Sequence, residues 1–424
     1  VAAAGSGGGG AHGGTGGTGA GGTGTGGTGA GGGGHGGSAG SSAGGKGGGG
    51  AGGAAGIGAA GTSGIAGTSG AGGSGPGGSN GVAGSSGMGG YNLVFVTSKT
   101  NVTTNLGNAA AYDAVCNQLA TTAGINDASG TAFVALVGDA QSSPVGRLGN
   151  ARGFVRTDGA PVADDLASLF SAYKMLNPIR ADEHGVLRPG TAVLTGLGSD
   201  GSVASNSNCA GWTTAGSSAN VTAGYSLSGP TTWLQWEGGP CNTVPTGALY
   251  CFMKTRSSAL VVTPVAGKKI FLTNGPVAVG TDADAVCAAA KPPGTGAVSA
   301  LRATTTAAAS SLLTMTAKYV RPDGIFVGLG SDLVAATAPG GTPLASGIWQ
   351  QGDGTYLDAR SVWTGSASLT APGTVASTCS NWTATSSTAA VTGATSSTEL
   401  GFWSNAVGGW PCDNTYTWAY CVER

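Results

Sequence analysis

The spacing of apolar residues predicts the same opening elements at two places along the chain. Short continuous apolar runs at 93–97 and 270–273 are typical of buried strands. Each run is followed by apolar residues at helical spacing, at 108–121 and 283–290, which predict amphipathic helices. After the helices, short apolar stretches alternate with Gly, Ser, Asn and Pro, as expected for strands joined by turns. The pattern therefore predicts an α+β fold with helices early and a loop-rich sheet late.

A further helix is expected within the first of these units. Leu166, Leu169 and Phe170 have the spacing of one helical face, so we predict a helix over 162–172. Its counterpart in the second unit is expected at 305–316.

The cysteines indicate that the two units are copies of one repeat. Successive members of the first four are 93, 32 and 10 residues apart, and those of the last four are 92, 33 and 9 apart. The sequence Asp-Ala-Val-Cys occurs at 113–116 and again at 284–287. Cys-x-x-Trp occurs at 209–212 and again at 379–382. The chain therefore carries a repeat of about 170 residues. The cysteines are Cys116, Cys209, Cys241, Cys251, Cys287, Cys379, Cys412 and Cys421.

An even number of cysteines in each unit favours disulfides formed in an oxidising compartment. Zinc is the alternative, but CxxC is absent and the chain has three histidines, so we expect no metal site. Four cysteines allow three pairings, and the sequence alone does not choose among them. If the first pairs with the last, closing a loop of about 135 residues stabilises each unit by about 4–5 kcal/mol. The chain starts with Val1 instead of Met, as expected of a secreted chain after removal of a signal peptide, so we predict an extracellular or cell-surface location.

The order of these motifs resembles the C-type-lectin-like fold, and within it the endostatin-like branch of collagen tails. The motifs are a helix with Asp-x-x-Cys, then Cys-x-x-Trp, a Trp before two closely spaced cysteines, and a last strand with an aromatic residue before Cys. The resemblance covers 91–254 and 267–424, which we predict as tandem domains joined by a linker at 255–266. The family pairs its first cysteine with its last and its second with its third. It therefore implies the disulfides Cys116–Cys251, Cys209–Cys241, Cys287–Cys421 and Cys379–Cys412.

The chain departs from the sugar-binding members of that family. Those members hold calcium with a Glu-Pro-Asn or Gln-Pro-Asp loop and a Trp-Asn-Asp strand, and neither tripeptide occurs here. Between the Trp of Cys-x-x-Trp and the next cysteine, each unit has a single acidic residue, Glu237 or Glu399. Calcium needs six or more oxygen ligands, so we expect no calcium-dependent sugar site. Lys and Arg are few and scattered, so a basic heparin-binding face like that of endostatin is not expected either.

Residues 1–90 form a glycine-rich segment that contains 47 of the 86 glycines. Over 58–73, glycine occupies every third position. A period of three matches a left-handed extended helix with three residues per turn, whose glycine edges let backbones approach closely. We predict either a polyglycine II-type bundle that drives self-assembly or a flexible stalk.

Composition excludes several classes of function. Charged residues make up 9% of the chain and the net charge is −1, so nothing favours nucleic-acid binding. No apolar stretch is long enough to span a membrane. The histidines are too scattered for a catalytic triad, and Gly-x-Ser-x-Gly at 40–44 lacks the strand-to-helix context that a nucleophile needs. We therefore predict no enzyme activity and no cofactor. Asp158 and Asp323, each in an Arg-x-Asp-Gly sequence, are interpreted as parts of surface turns.

Four tryptophans are the candidates for surface recognition, because an exposed indole can stack on a sugar ring. Packing in the core is nevertheless expected for most tryptophans of the chain. We predict an extracellular fibre or surface-layer subunit, in which the glycine-rich segment assembles with other copies and displays two lectin-like domains. The alternative is a non-polymeric adhesin or glycan-binding module on a flexible stalk. Ice binding through regularly placed threonines is a third hypothesis. The four candidates are Trp233, Trp236, Trp403 and Trp410.

Overall fold

The computed structural model describes residues 90–424, except 140–141, 205, 245, 386–388 and 405–408. These residues all belong to one compact unit. The predictions for the glycine-rich segment concern residues outside this described part.

The first repeat combines short strands with short helices. Its elements are β1 (Asn92–Val96), β2 (Val102–Thr103), α1 (Ala109–Thr122), β3 (Phe133–Ala135), α2 (Pro144–Leu148), β4 (Phe154–Arg156), β5 (Pro161–Ala163), α3 (Leu166–Phe170), β6 (Ala192–Leu194), α4 (Cys209–Trp212), β7 (Asn220–Tyr225), β8 (Glu237–Pro240), β9 (Thr246–Gly247) and β10 (Tyr250–Met253).

The second repeat has two 3₁₀ turns, Ala309–Leu312 and Leu400–Phe402, and otherwise follows the same plan of short strands and helices. Its strands and helices are β11 (Lys268–Leu272), α5 (Ala283–Ala290), β12 (Val298–Ala300), β13 (Lys318–Val320), β14 (Phe326–Leu329), α6 (Gly330–Ala336), β15 (Ser361–Trp363), α7 (Cys379–Trp382), β16 (Ala389–Ala390), β17 (Thr392–Ala394), β18 (Trp410–Pro411) and β19 (Tyr420–Glu423). Among the helices of the described residues, none is long and apolar enough to cross a membrane.

The central sheets of the two repeats have the same strand order and directions. The order is β3-β10-β1-β4-β5 in the first repeat and β12-β19-β11-β13-β14 in the second. In each repeat the first strand runs antiparallel to the last strand and parallel to its other neighbour. The outer pairs are antiparallel, and the register shifts at the same place in both sheets. The duplication found in the sequence therefore extends to the topology of a mixed, mainly β fold.

The elements predicted at the start of each repeat are present, and those predicted later are partly wrong. Strands β1 and β11 and helices α1 and α5 match the predicted positions within two residues. The helix predicted over 162–172 is a strand in its first part, because β5 pairs with β4. Helix α3 begins only after Asp165, whose side chain accepts a hydrogen bond from the Ser168 N–H at 2.6 Å.

The prediction of a counterpart helix over 305–316 is also wrong. This stretch contains a single 3₁₀ turn, Ala309–Leu312. Before the turn, the hydroxyl oxygen of Thr304 accepts hydrogen bonds from the backbone N–H groups of Thr306 and Ala307, at 3.3 and 2.9 Å. Such side-chain contacts offer the backbone an alternative to helical hydrogen bonds, and a run of threonines favours them.

The structure contains all four disulfides that the family resemblance implies. In each repeat, one disulfide joins the first helix to the last strand, which lies beside the first strand in the sheet, so it ties the two ends of the repeat together. The other joins the Cys-x-x-Trp segment to the residue after a short strand. No described cysteine is free. Four buried disulfides fit an extracellular protein. The pairs are Cys116–Cys251, Cys209–Cys241, Cys287–Cys421 and Cys379–Cys412.

The two Cys-x-x-Trp segments, α4 and α7, are left-handed turns. All four residues of each segment have positive φ, between 50° and 71°. This conformation costs about 1–2 kcal/mol for each residue other than glycine. Both turns direct an indole into the core, where the Nε1 of Trp212 donates to the carbonyl of Gly138 and that of Trp382 to the carbonyl of Ala303, each at 2.8 Å. The repeated strain is therefore held by the same disulfide and indole contacts in both repeats.

The two repeats share part of their hydrophobic core. Trp349 belongs to the second repeat but is fully buried in the apolar cluster of the first, which includes Trp233 and Met175. Its indole Nε1 donates to the carbonyl of Met175 at 2.6 Å. Gly229 makes room for the ring, since a Cβ at this position would lie 2.4 Å from it. This arrangement holds the two repeats together as one body.

A buried arginine reinforces the contact between the repeats. Arg321 is completely buried, and its Nη2 donates to the Asp323 carboxylate at 2.8 Å and to the Leu176 carbonyl of the first repeat at 3.0 Å. Asp323 also accepts a hydrogen bond from the Tyr356 hydroxyl. Burial acts to raise the pKa of Asp323, but the charge and hydrogen bonds of Arg321 outweigh it, and the pKa is lowered. Asp323 is therefore an ionised partner of a buried cation.

The Arg-x-Asp-Gly sequences form turns after strands, as their interpretation predicts, but their arginines are buried. Each is a turn, since the N–H of Gly159 donates to Arg156 and that of Gly324 to Arg321. The Arg156 side chain is 5% exposed and is paired with Asp158. It also donates a hydrogen bond to the carbonyl of Pro178 in the same repeat. The carboxylates of Asp158 and Asp323 each pair with the arginine two positions earlier in the chain. Turn propensity does not predict these ion pairs.

Candidate functional site

A cleft of about 630 Å³ lies along the boundary between the two repeats. The first repeat contributes aromatic and hydroxyl side chains from the end of β7 and the segment after it. The second repeat contributes small residues after α6 and hydroxyl groups around β15 and β17. The alanines and glycines of this second wall keep the cleft open, because they have little or no side chain to fill it.

Backbone contacts between the repeats fix the walls of the cleft. Ser228 pairs with Ser397 as an isolated antiparallel bridge, and the N–H of Gly229 donates to the Ser396 carbonyl at 2.7 Å. The hydroxyl of Thr398 donates to the Leu227 carbonyl, also at 2.7 Å. These contacts join the turn after β7 to the segment after β17, so the two walls cannot separate without losing them.

Trp236 and Tyr225 form an aromatic platform in the cleft. Their ring centroids are 4.9 Å apart, and Trp236 remains 52% exposed. The Tyr225 hydroxyl donates across the boundary to Glu399 Oε2 at 3.0 Å. Burial, and then the charge of Glu399, raise the pKa of Tyr225 well above its usual value, so the hydroxyl stays protonated and keeps this hydrogen bond. The platform is therefore anchored to both repeats.

The charged groups near the cleft are mostly paired. Arg360 binds Asp358 at 2.6 Å, and its guanidinium carbon lies 5.0 Å from the centroid of the Trp418 ring. Arg180 is 8% exposed on the first-repeat side of the boundary. Burial, and then the charge of Arg156, lowers the pKa of Arg180 to about 10. The charges of Asp158 and Glu399 oppose this shift. Arg180 therefore stays positively charged at neutral pH.

The four candidate tryptophans divide into two exposed and two buried residues. Trp236 and Trp410 are 52% and 47% exposed. Trp410 lies beside the cleft, because its indole Nε1 donates to the hydroxyl of Ser361, a lining residue, at 2.6 Å. Trp233 and Trp403 are 1% and 0% exposed, so their prediction as surface recognition residues is wrong. Both indoles pack in the apolar core of a repeat.

Sequence reasoning missed the inter-repeat part of the site. Glu399 was visible as the single acidic residue of its segment, but nothing in the sequence connected it with Tyr225, which lies 174 positions away. The pairing depends on how the repeats dock, and docking surfaces are not encoded in local periodicity. The duplication itself was the available signal, because tandem copies must have a mutual surface.

The part of the chain that the structure describes contains no group of three or more His, Cys, Asp or Glu residues arranged to hold a metal ion. The cleft offers hydroxyl groups, one carboxylate, one guanidinium and an indole face, which suit reversible binding of a polar ligand. A comparison with models of protein families finds no match for this chain, and a comparison with curated proteins finds no relative.

Proposed function

We propose that this chain is an extracellular binding protein that takes a carbohydrate in the cleft between its two repeats. The observation that carries the proposal is the half-exposed Trp236, held by Tyr225 and Glu399 in a cleft lined with hydroxyl groups. The face of a sugar ring is apolar and its rim carries hydroxyls, so an indole face surrounded by donors and acceptors matches it. The resemblance to lectin-like domains supports the proposal as a scaffold for recognition, not as a calcium site.

The dimensions of the surface favour a chain of sugars over a single one. The indole of Trp236 borders a second depression, of about 600 Å³, formed by β7 and β8 of the first repeat. On the other side, Trp410 stands beside Ser361 of the cleft. A ligand that crosses Trp236 could therefore contact both depressions at once.

Replacing Trp236 by alanine is expected to weaken glycan binding roughly tenfold or more, because central aromatic residues carry most of the energy of such contacts. The measurement is a glycan array with the full chain, followed by calorimetric titration of the best ligand. Tyr416→Ala is the control, since Tyr416 is 76% exposed and does not line the cleft. The proposal fails if the array has no ligand or if Trp236→Ala and the control bind equally well.

A second function, self-assembly into a fibre or surface layer, is proposed on the period of glycine in the sequence. Glycine at every third position over 58–73 fits the close packing of extended helices. Binding and assembly are compatible, because an assembled segment would display many copies of the cleft.

Electron microscopy of the full chain beside a variant lacking 1–90 tests this second function. We expect regular filaments from the full chain and none from the shortened variant. If neither assembles, the glycine-rich segment is a stalk, and the chain is a non-polymeric adhesin or glycan-binding protein. If both assemble, the contacts lie in the repeats.

A further inference from the structure

We propose that a pocket in the second repeat, separate from the cleft, binds an oxyanion: a sulfate or carboxylate group, held by Arg302. The pocket has a volume of about 310 Å³ and lies between the first turn of α5, the strand β12 and the left-handed turn α7. It shares no lining residue with the cleft between the repeats.

No acceptor among the described residues pairs with the guanidinium of Arg302. Its carbon lies 4.8 Å from the centroid of the Trp382 ring, so the cation stacks over the indole. Within the described residues this guanidinium makes neither a hydrogen bond nor an ion pair, although the side chain is partly buried. Burial lowers the pKa of Arg302, and Asp284 and Asp282 oppose the shift from a distance. Arginine remains charged at neutral pH, so a partly buried cation faces the pocket with donors that no described residue uses.

Other donors face the same pocket. Arg424 is held there by a hydrogen bond from its Nε to the Ser299 hydroxyl at 2.6 Å, which leaves its two terminal nitrogens without a partner among the described residues. The side-chain Oδ1 of Asn381 accepts a hydrogen bond from the Thr305 N–H at 3.1 Å, and this contact orients the side-chain amide in the pocket wall. Asp284 also lines the pocket, and its Oδ1 accepts a hydrogen bond from the Ala300 N–H at 2.7 Å. Three side chains with N–H donors, those of Arg302, Arg424 and Asn381, therefore line the pocket.

The first repeat gives an internal comparison, in which an arginine from another position pairs with the corresponding carboxylate. There, Asp113 occupies the position that corresponds to Asp284, and its Oδ1 accepts from the Ala135 N–H at 2.7 Å. The same carboxylate pairs with Arg147 of α2 at 2.5 Å, and Arg147 Nη2 also donates to the Ala135 carbonyl at 2.8 Å. The second repeat has a 3₁₀ turn in place of α2 and no such pairing. The counterpart of Arg302 in the first repeat is Val137, so Arg302 is not a copy of the arginine in this ion pair.

An oxyanion completes this arrangement. Sulfate and carboxylate groups accept two parallel hydrogen bonds from one guanidinium, and a second arginine adds charge and further donors. The stacked indole fixes the plane of the Arg302 guanidinium, which limits the entropy lost on binding. The group can be a free anion or part of an acidic sugar, and the pocket has room for little more than the charged group and the ring that carries it.

The test is calorimetric titration of the full chain with sodium sulfate at constant ionic strength, with chloride as the balancing salt. We expect one saturable site in the wild type. Arg302→Gln should weaken binding roughly tenfold or more, because it removes charged hydrogen bonds, and Arg424→Gln should weaken it less. Arg302→Lys keeps the charge and the contact with the indole, so it should retain part of the affinity. Arg152→Gln is the control, because Arg152 is half-exposed and already paired with Asp164.

Titrations with methyl sulfate, glucuronate and glucose identify the source of the anion. Binding of the two organic anions but not of glucose indicates a group carried by a larger ligand, and binding of sulfate alone indicates a free anion. The proposal is overturned if no saturable sulfate binding occurs, or if Arg302→Gln and Arg302→Lys both bind sulfate like the wild type. Near-ultraviolet circular dichroism verifies that each variant is folded. Failure here leaves the glycan test of the cleft unaffected, because that test depends on Trp236.

Discussion

Trp349→Ala is expected to lower the free energy of unfolding by about 3–5 kcal/mol, the usual cost of truncating a large buried side chain. Trp349 is 0% exposed and donates to the Met175 carbonyl at 2.6 Å. The truncation removes the apolar contacts of the indole and leaves a cavity bounded by residues of both repeats. It also leaves the Met175 carbonyl without the donor that the indole supplied, which adds to the loss.

Urea denaturation followed by far-ultraviolet circular dichroism measures this effect. Trp410→Ala is the matched control, because the same side chain is removed from a site that is 47% exposed, and we expect a loss of about 1 kcal/mol or less. The loss of unfolding free energy in Trp349→Phe is expected to lie between the losses in these two variants. Equal losses from Trp349→Ala and Trp410→Ala would contradict the idea that Trp349 joins the repeats through a common core.

The position of Trp349 links the stability of the pair of repeats to the proposed binding function. The cleft has one wall from each repeat, and the hydrogen bond between Tyr225 and Glu399 crosses the boundary. A ligand that stacks on Trp236 benefits from walls that are already in place, because rigid sites lose less entropy on binding. A variant that loosens the boundary should therefore weaken glycan binding without touching any residue of the cleft.

The sequence predicted those features that depend on local pattern or on repetition. The apolar runs at 93–97 and 270–273 are central strands. The helix that carries Cys116 was predicted to start at Asn108, which is its N-cap, and its first residue is Ala109. The disulfide pairs followed from the resemblance, not from spacing. These features share a physical cause, since periodic burial and capping act within a few residues.

Features that depend on tertiary context were not predictable in this way. The left-handed turn at Cys209 contradicts the propensity of three of its four residues, and it exists because a disulfide and a buried indole hold it. Trp233 and Trp236 are three residues apart in one segment, yet one is buried and the other is half-exposed. Arg302 shows the same limit, because only the folded contacts show that no described residue pairs with its guanidinium. Docking and burial decide these cases, and neither is visible in one-dimensional periodicity.

Removing the long-range disulfide of the first repeat, with Cys116→Ala and Cys251→Ala together, is expected to lower the free energy of unfolding by about 4–5 kcal/mol. The two cysteines are 135 residues apart, so the crosslink removes much of the freedom of the unfolded chain. The bridge also ties helix α1 to the last strand, β10, beside which the first strand of the repeat lies. Urea denaturation of the oxidised variant beside the wild type measures the loss.

The matched control is the shorter disulfide of the same repeat, removed by Cys209→Ala and Cys241→Ala. All four cysteines are completely buried, so both double variants lose equivalent apolar contacts. The shorter bridge spans 32 residues, and chain entropy alone then predicts a smaller loss, of about 3–4 kcal/mol. The opposite order would mean that the disulfide at Cys209 acts mainly by holding the left-handed turn of α4 in the folded state. In that case the two disulfides of the second repeat should show the same order of losses. Cys379 lies in the corresponding left-handed turn, α7, and its disulfide spans 33 residues.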